Sequence, residues 1–122
     1  MRKTYKDLIV YKKSYEVSLE VHRLSMGLPS FEKSELGSQI RRASKSIPMN
    51  IAEGYGRNGS LEDFKRFLTM ALGSCEEVKV QLDYCKDLGY IAGEQYNKLS
   101  SVYAEISKMI ISMKKNWKKS SI

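Results

Sequence analysis

The sequence predicts an all-α protein, an antiparallel up-down four-helix bundle, and three observations support this. Apolar residues recur in steps of three and four over long stretches, no stretch alternates as a half-buried strand would, and corners containing glycine or proline separate the periodic segments. The 122 residues, 42% of them hydrophobic, are enough to bury one core, so we expect a single domain over 1–122. The helices are expected over about 6–28, 32–54, 60–88 and 93–118.

The third and fourth helices have the most regular pattern. The third is expected to start after Ser60, which forms a capping-box pattern with Asp63, and to stop at Gly89. The fourth carries a similar stripe between Tyr96 and Trp117. The stripe of the third helix consists of Leu61, Phe64, Leu68, Ala71, Cys75, Val78, Leu82 and Cys85.

The first helix is apolar around too much of its circumference to be buried on one side only. One stripe contains Val10, Val17, Val21, Leu24 and Leu28. The other contains Leu8, Tyr11, Tyr15, Leu19, His22 and Met26. We therefore expect this helix to have two packing partners.

The second helix contains a proline. Pro48 removes one backbone hydrogen bond and crowds the carbonyl of Ser44, so we expect a helix kinked near Pro48, with a break into two helices as the alternative.

The stretch "EGYGRNGSLEDF" holds Gly54, Gly56 and Gly59 in the G-x-G-x-x-G spacing of dinucleotide sites. That fingerprint requires a strand before the glycines, whereas here a helix precedes them. We therefore interpret the segment as a turn between the second and third helices. Arg57 and the free amides that follow it could hold an anion.

Residues typical of catalytic or metal sites are few. The one histidine, His22, lies on an apolar stripe and is expected to be a hydrogen-bonded core or interface residue. Cys75 and Cys85 both lie in the third helix, where ten residues of rise separate them by about 15 Å, so we expect buried, reduced thiols. We expect no enzyme activity, no metal and no cofactor.

No apolar run approaches a membrane span or a signal-peptide core, which predicts a cytoplasmic protein without a membrane partner.

The segments "LGSQIRRASKSIPMNIAEGYGR", "DFKRFLTMALGSCEEVKVQL" and "LGYI" closely resemble the family encoded in intervening sequences of bacterial 23S rRNA genes, often labelled S23 ribosomal protein. That family is similar in fold to the accessory variability protein of diversity-generating retroelements. The resemblance covers nearly the whole chain. It implies a four-helix protomer, a homo-oligomer that is expected to be a pentameric ring, and a basic surface that binds nucleic acid, and it supplies no catalytic residues.

The charge pattern gives candidate site residues. The net charge is +7, yet residues 60–91 hold four basic and six acidic residues, so the basic excess lies in the other three helices. Ile40 is expected to face the core. Around the helix axis, Arg42 lies about 200° and Lys45 about 140° from Ile40, so both should face outward. The candidate contacts to RNA or DNA are Arg41, Arg42, Lys45 and Arg57. A solvated face or a subunit contact is an equally supported interpretation of these four.

Four other residues are candidates for contacts between subunits: Asn50, Glu53, Tyr11 and Tyr15. The tyrosines alternate with lysines, which could also stack bases, but their helical spacing favours packing. The leading hypothesis is a non-catalytic homo-oligomer that binds RNA or DNA. The alternative is a structural or protein-adaptor oligomer without a nucleic-acid role.

Overall fold

Four long helices form the protein in the computed structural model, which describes residues 3–56 and 60–117. They are α1 (Ile9–Met26), α2 (Leu36–Gly56), α3 (Leu61–Asp87) and α4 (Gly93–Asn116). A 3₁₀ turn at Tyr5–Asp7 precedes α1, and a single helical turn at Ser30–Lys33 precedes α2. Within the described ranges there is no strand. The predicted all-α four-helix bundle is confirmed.

The helices pack in chain order around one core. The α2 helix lies between α1 and α3, and α4 packs against α3 and closes the bundle against α1. Two ion pairs show the direction of α4: Lys13 pairs with Glu105, whereas Glu20, further along α1, pairs with Lys98, nearer the start of α4. Neighbouring helices are therefore antiparallel, as short connections require.

The core follows the predicted stripes. In α3 every stripe residue from Phe64 to Cys85 is buried, while Leu61 is only half-buried. The other helices contribute Val10, Val17, Val21, Ile40, Ile47, Ile51, Leu99, Tyr103, Ile106 and Ile110. Burying such side chains contributes about 1.5–3 kcal/mol each, which makes this core the main source of stability.

The two apolar stripes of α1 have different surroundings. Val10, Val17 and Val21 are buried in the core. In contrast, Leu19 and Met26 of the second stripe remain 38% and 51% exposed. Leu8 and Tyr11 of this stripe nevertheless pack against the core, and α1 contacts both α2 and α4. The second stripe is thus only partly covered within the described part of the protomer.

The first two helices begin later than expected. Before α1, the Thr4 hydroxyl accepts a hydrogen bond from the Lys6 amide at 3.2 Å, and Asp7 accepts one from the Thr4 amide at 2.8 Å. This capped turn ends at Asp7, so α1 starts at Ile9. Before α2, the short helical turn ends at Lys33, whose carbonyl accepts a hydrogen bond from the Arg41 side chain at 2.9 Å, and α2 starts at Leu36.

Pro48 does not divide the second helix. The α2 helix is continuous from Leu36 to Gly56, with Pro48 buried inside it. The alternative of two separate helices is therefore not observed, and the kink stays a prediction.

Both ends of α3 have the predicted signals. The Ser60 hydroxyl accepts a hydrogen bond from the Asp63 amide at 3.1 Å. At the other end Gly89 adopts φ +78°, a conformation that favours glycine, and the Tyr90 amide donates to the Cys85 carbonyl at 2.8 Å. These contacts form a Schellman motif that stops the helix.

Two glycines of the G-x-G-x-x-G spacing, Gly54 and Gly56, belong to the last turn of α2, while Arg57 and Gly59 lie outside the described residues. Gly54 is buried where α2 meets α3. A Cβ atom on Gly54 would lie 2.7 Å from the Cβ of Phe67 and 2.9 Å from Cδ1 of Phe64. Close packing of α2 on α3 thus requires glycine at this position.

Both cysteines are buried and unpaired, as predicted. The Cys75 thiol donates to the Tyr103 carbonyl at 3.3 Å and lies 3.1 Å from the Ser107 hydroxyl. Burial raises the pKa of the Cys75 thiol. Burial, followed by the charge of Glu32, raises the pKa of Cys85 from 9.0 to about 11. Both thiols are therefore neutral in the folded protein at pH 7.

We predict that Gly54→Ala lowers the free energy of unfolding by about 1–3 kcal/mol, because the added methyl group clashes with both phenylalanines. Gly73→Ala is the matched control, since a Cβ atom there meets nothing within 4 Å. The control should gain about 0.5–1 kcal/mol from helix propensity. Urea unfolding measures both; equal stabilisation by the two alanines would contradict the close approach at Gly54.

We also predict that both thiols react slowly with a disulfide reagent at pH 8, because only the thiolate is nucleophilic. For Cys85 the reaction rate should be lower than in the urea-unfolded chain by about 100-fold or more. Because the pKa of the Cys85 thiol is higher in the folded protein than in the unfolded chain, the protonated thiol contributes to stability below pH 9. That contribution should be lost as the pH rises toward 11. Rapid labelling of the native protein at pH 8 would show that the thiols are accessible.

Candidate nucleic-acid interface

The three described candidates for phosphate contact follow one another on α2. Arg42 and Lys45 are exposed, as the helical period predicts, and Arg41 is half-buried. The fourth candidate, Arg57, lies outside the described residues.

Arg41 is engaged within the protomer. One terminal nitrogen of its guanidinium donates to the Ser25 hydroxyl at 2.9 Å, and the other donates to the Lys33 carbonyl at 2.9 Å. The first nitrogen also lies 3.9 Å from the Met26 sulfur. A Cβ atom on Gly37 would approach this same nitrogen to 3.0 Å, so the glycine leaves room for it. Arg41 thus joins the end of α1, the Ser30–Lys33 turn and α2.

Lys45 reaches across to α1. Its ammonium lies 2.9 Å from Nδ1 of His22, a geometry in which the ammonium donates and Nδ1 accepts. His22 is half-buried and hydrogen-bonded, in agreement with its interpretation from the sequence. Arg42, the remaining described candidate, has no ion pair with an acidic residue in the ranges that the structure describes.

A groove of about 730 Å³ runs between the outer sides of α1 and α2. We refer to it as the α1–α2 groove. The residues that matter for its chemistry are Tyr11, Tyr15, Leu19, Lys45, Met49 and Glu53. Most of its surface is apolar, and Lys45 places a positive charge beside it.

Three aromatic rings follow one another at this groove, Tyr5 from the 3₁₀ turn and Tyr11 and Tyr15 from α1. The ring centroids of Tyr5 and Tyr11 are 4.9 Å apart and edge-on, and those of Tyr11 and Tyr15 are 5.9 Å apart and stacked. Burial, followed by the neighbouring Tyr5 and Tyr15, raises the pKa of Tyr11, so its hydroxyl stays neutral at physiological pH. The groove therefore presents flat, uncharged surfaces next to a cation.

The groove brings together three of the four predicted subunit contacts: Tyr11, Tyr15 and Glu53. Asn50 lies elsewhere. Its side-chain amide donates to the Ser46 carbonyl at 2.8 Å, and the Ser46 hydroxyl lies 2.8 Å from the Ser74 hydroxyl of α3. Asn50 thus takes part in the contact between α2 and α3.

Sequence reasoning missed Met49, which borders the groove and is 67% exposed. The signal was available, because Met49 is a large apolar residue two positions from Ile47 and off the core stripe. Together with Tyr15 and Leu19, Met49 adds exposed apolar area to the lining of the groove.

In residues 3–56 and 60–117, no three histidine, cysteine, aspartate or glutamate side chains are grouped closely enough to hold a metal ion. Over the same residues, none of the helices is long and apolar enough to cross a membrane.

Arg41 and Arg42 are adjacent in sequence and allow a matched test of the structural contact. We predict that Arg41→Ala lowers the free energy of unfolding by about 1–3 kcal/mol, because it removes charge-assisted hydrogen bonds to Ser25 and Lys33. Arg42→Ala should change it by less than about 0.5 kcal/mol, since its side chain is exposed. Urea midpoints distinguish the two; similar midpoints would mean that the Arg41 hydrogen bonds do not stabilise the fold.

Comparison with known proteins agrees with this architecture. Residues 6–112 match the family described as 23S rRNA-intervening sequence protein. The fold is similar to the crystal structure of a protein of unknown function from the S23 ribosomal protein family of Bacteroides thetaiotaomicron, with a TM-score of 0.81 and 30% identity over 88% of this chain and 96% of that one. None of the curated proteins compared with the chain matches it. The similarity to the accessory variability protein of diversity-generating retroelements stays a prediction. The chain belongs to the 23S rRNA-intervening sequence protein family.

Proposed function

We propose that this protein is a non-catalytic, cytoplasmic homo-oligomer that binds RNA or DNA through exposed cations on the outer sides of α1 and α2. A pentamer is the size implied by the family resemblance. The α1–α2 groove and its tyrosines serve contact between subunits, and the cations beside it serve contact with phosphates.

The observation that carries the nucleic-acid part of the proposal is a set of cations without acidic partners. Lys12, Arg23 and Arg42 are exposed, and no acidic residue of the described chain forms an ion pair with them. By contrast, Arg66 and Lys79 of α3 pair with Asp63 and Glu76 on their own helix. A cation without a fixed partner can neutralise a phosphate and release a bound counterion at little cost.

The distribution of charge supports the same assignment. Residues 1–30 hold six basic and three acidic residues, and residues 31–59 hold five and three. Residues 60–91 are acidic overall. A polyanion is therefore attracted toward the side of the bundle formed by α1 and α2 and repelled by α3. Residues 92–122, with six basic and two acidic residues, form a second basic segment that the experiment has to separate from the first.

The self-association part rests on exposed apolar surface. Met49, Tyr15 and Leu19 line the α1–α2 groove and are 67%, 47% and 38% exposed. Contiguous apolar surface of this kind is more typical of an interface than of a solvated face.

We predict that the charge reversals Arg42→Glu and Lys45→Glu, made together, weaken binding to single-stranded RNA and lower the salt slope by about one to two. The reason is that each reversal removes one phosphate contact. Fluorescence anisotropy with labelled RNA, over about 50 to 200 mM salt, gives the slope. Light scattering reports the mass of each variant, because Lys45 also borders the groove. Arg42→Glu alone leaves the groove intact and should weaken binding without a change in mass.

The pair Lys108→Glu and Lys115→Glu on α4 is the matched control, with the same change of charge at two exposed positions. If this control weakens binding and the α2 pair does not, phosphates bind at α4 and the assignment to α2 is wrong. If the wild-type protein binds neither RNA nor DNA at low salt, nucleic-acid binding itself is refuted. The structural or protein-adaptor oligomer is then favoured, because the groove remains to be explained.

A further inference from the structure

A second exposed apolar surface lies on α3. We define the α3 ridge as Met70, Glu77, Val80, Tyr84 and Leu88. These residues follow one another in steps of seven, three, four and four, which places them along one side of the helix and its C-terminal end. They lie outside the stripe that fills the core.

The ridge is exposed over most of the length of α3. Val80, Tyr84 and Leu88 are 53%, 58% and 54% exposed, and Met70 is 46% exposed. From Met70 to Tyr84 the helix rises about 21 Å. The exposed apolar residues of the ridge, interrupted by Glu77, form a helical face of the kind that a groove between two helices accepts.

The ridge and the α1–α2 groove have complementary charge. Glu77 lies within the ridge; its carboxylate accepts a hydrogen bond from the Gln81 side chain at 3.1 Å, and no described lysine or arginine forms an ion pair with it. The groove, in turn, is lined by Lys45 and Glu53. Lys45 makes a hydrogen bond with His22 and forms no ion pair with an acidic residue of the described chain. A carboxylate on the ridge and an ammonium beside the groove each lack an opposite charge that the other can supply.

We propose that the α3 ridge of one protomer docks in the α1–α2 groove of a second copy of the chain. This inference rests on the proposed self-association and adds which two surfaces meet. In the contact, Val80 and Tyr84 cover Met49, Leu19 and the tyrosines. Glu77 lies on the side of the groove where Lys45 is placed.

Such a contact is head-to-tail, since the groove and the ridge are different surfaces of one protomer. Every protomer that joins leaves one groove and one ridge open, so assembly continues until a ring closes. The α2 helix separates the two surfaces around the bundle, which makes them neighbouring sides rather than opposite ones. Each copy is therefore rotated relative to the previous one, as ring closure requires.

The test uses one substitution in each surface and a control outside both. Met49→Glu disrupts the groove, Val80→Glu disrupts the ridge, and Ile111→Glu on α4 makes the same change at a position that is 52% exposed. All three replace an exposed apolar residue by a good helix former, so the fold should persist, as circular dichroism can verify. Mass is measured by light scattering at micromolar concentration.

We expect wild type and Ile111→Glu to form an oligomer larger than a dimer, and the two interface variants to fall to the protomer mass of 14.0 kDa. An equimolar mixture of Met49→Glu and Val80→Glu should form dimers and stop there. The reason is that one partner keeps an intact ridge and the other an intact groove.

Two outcomes would overturn the head-to-tail contact while leaving the oligomer intact. The first is a Val80→Glu variant that assembles like wild type. The second is a mixture of Met49→Glu and Val80→Glu that stays monomeric. A monomeric wild type would overturn both this inference and the proposed self-association. If either variant loses helical structure, Leu19→Glu and Tyr84→Glu replace the two and the same mixing experiment applies.

Discussion

The position of α2 between α1 and α3 is the constraint on which the rest of the structure depends. On one side Gly54 lets the backbone of α2 approach Phe64 and Phe67, closer than any side chain would allow. On the other side the Arg41 guanidinium holds α2 to the end of α1 through Ser25. The first contact sets how closely α2 approaches α3, and the second holds α2 to α1. The α1–α2 groove, with Met49 and Lys45 beside it, lies on the outer side of this second pair.

The same arrangement separates charges that stabilise the protomer from charges that remain available to partners. Arg41 is consecutive with Arg42 and belongs to the same basic cluster, yet its hydrogen bonds lie inside the protomer. The exposed Lys12, Arg23 and Arg42 form no ion pair with an acidic residue of the described chain. Acidic residues outnumber basic ones only in residues 60–91, which include α3. In the proposed function, this asymmetry attracts a polyanion to the basic side of the bundle, next to the groove proposed for contact between subunits.

Much of the fold could be predicted from the sequence because helical periodicity reports directly on burial. The stripe from Phe64 to Cys85, the Ser60 cap and the Gly89 stop are all local patterns, and each is present in the structure. The site was only partly predictable. Helical period places Arg42 and Lys45 outward, but the partners of Arg41 are set by tertiary packing, and the crowding at Gly54 depends on phenylalanines of another helix. Met49 and Val80 lie off the predicted core stripes, but the sequence alone does not show that Met49 borders a groove formed with another helix.

The central claim is that a protomer with uncovered apolar surfaces on α1, α2 and α3 functions as an assembly. Sedimentation of the wild-type protein over a concentration series, from nanomolar to high micromolar, tests this most directly. The account predicts a mass that rises to a fixed multiple of 14.0 kDa greater than two. A mass that stays at 14.0 kDa over the whole series would contradict it.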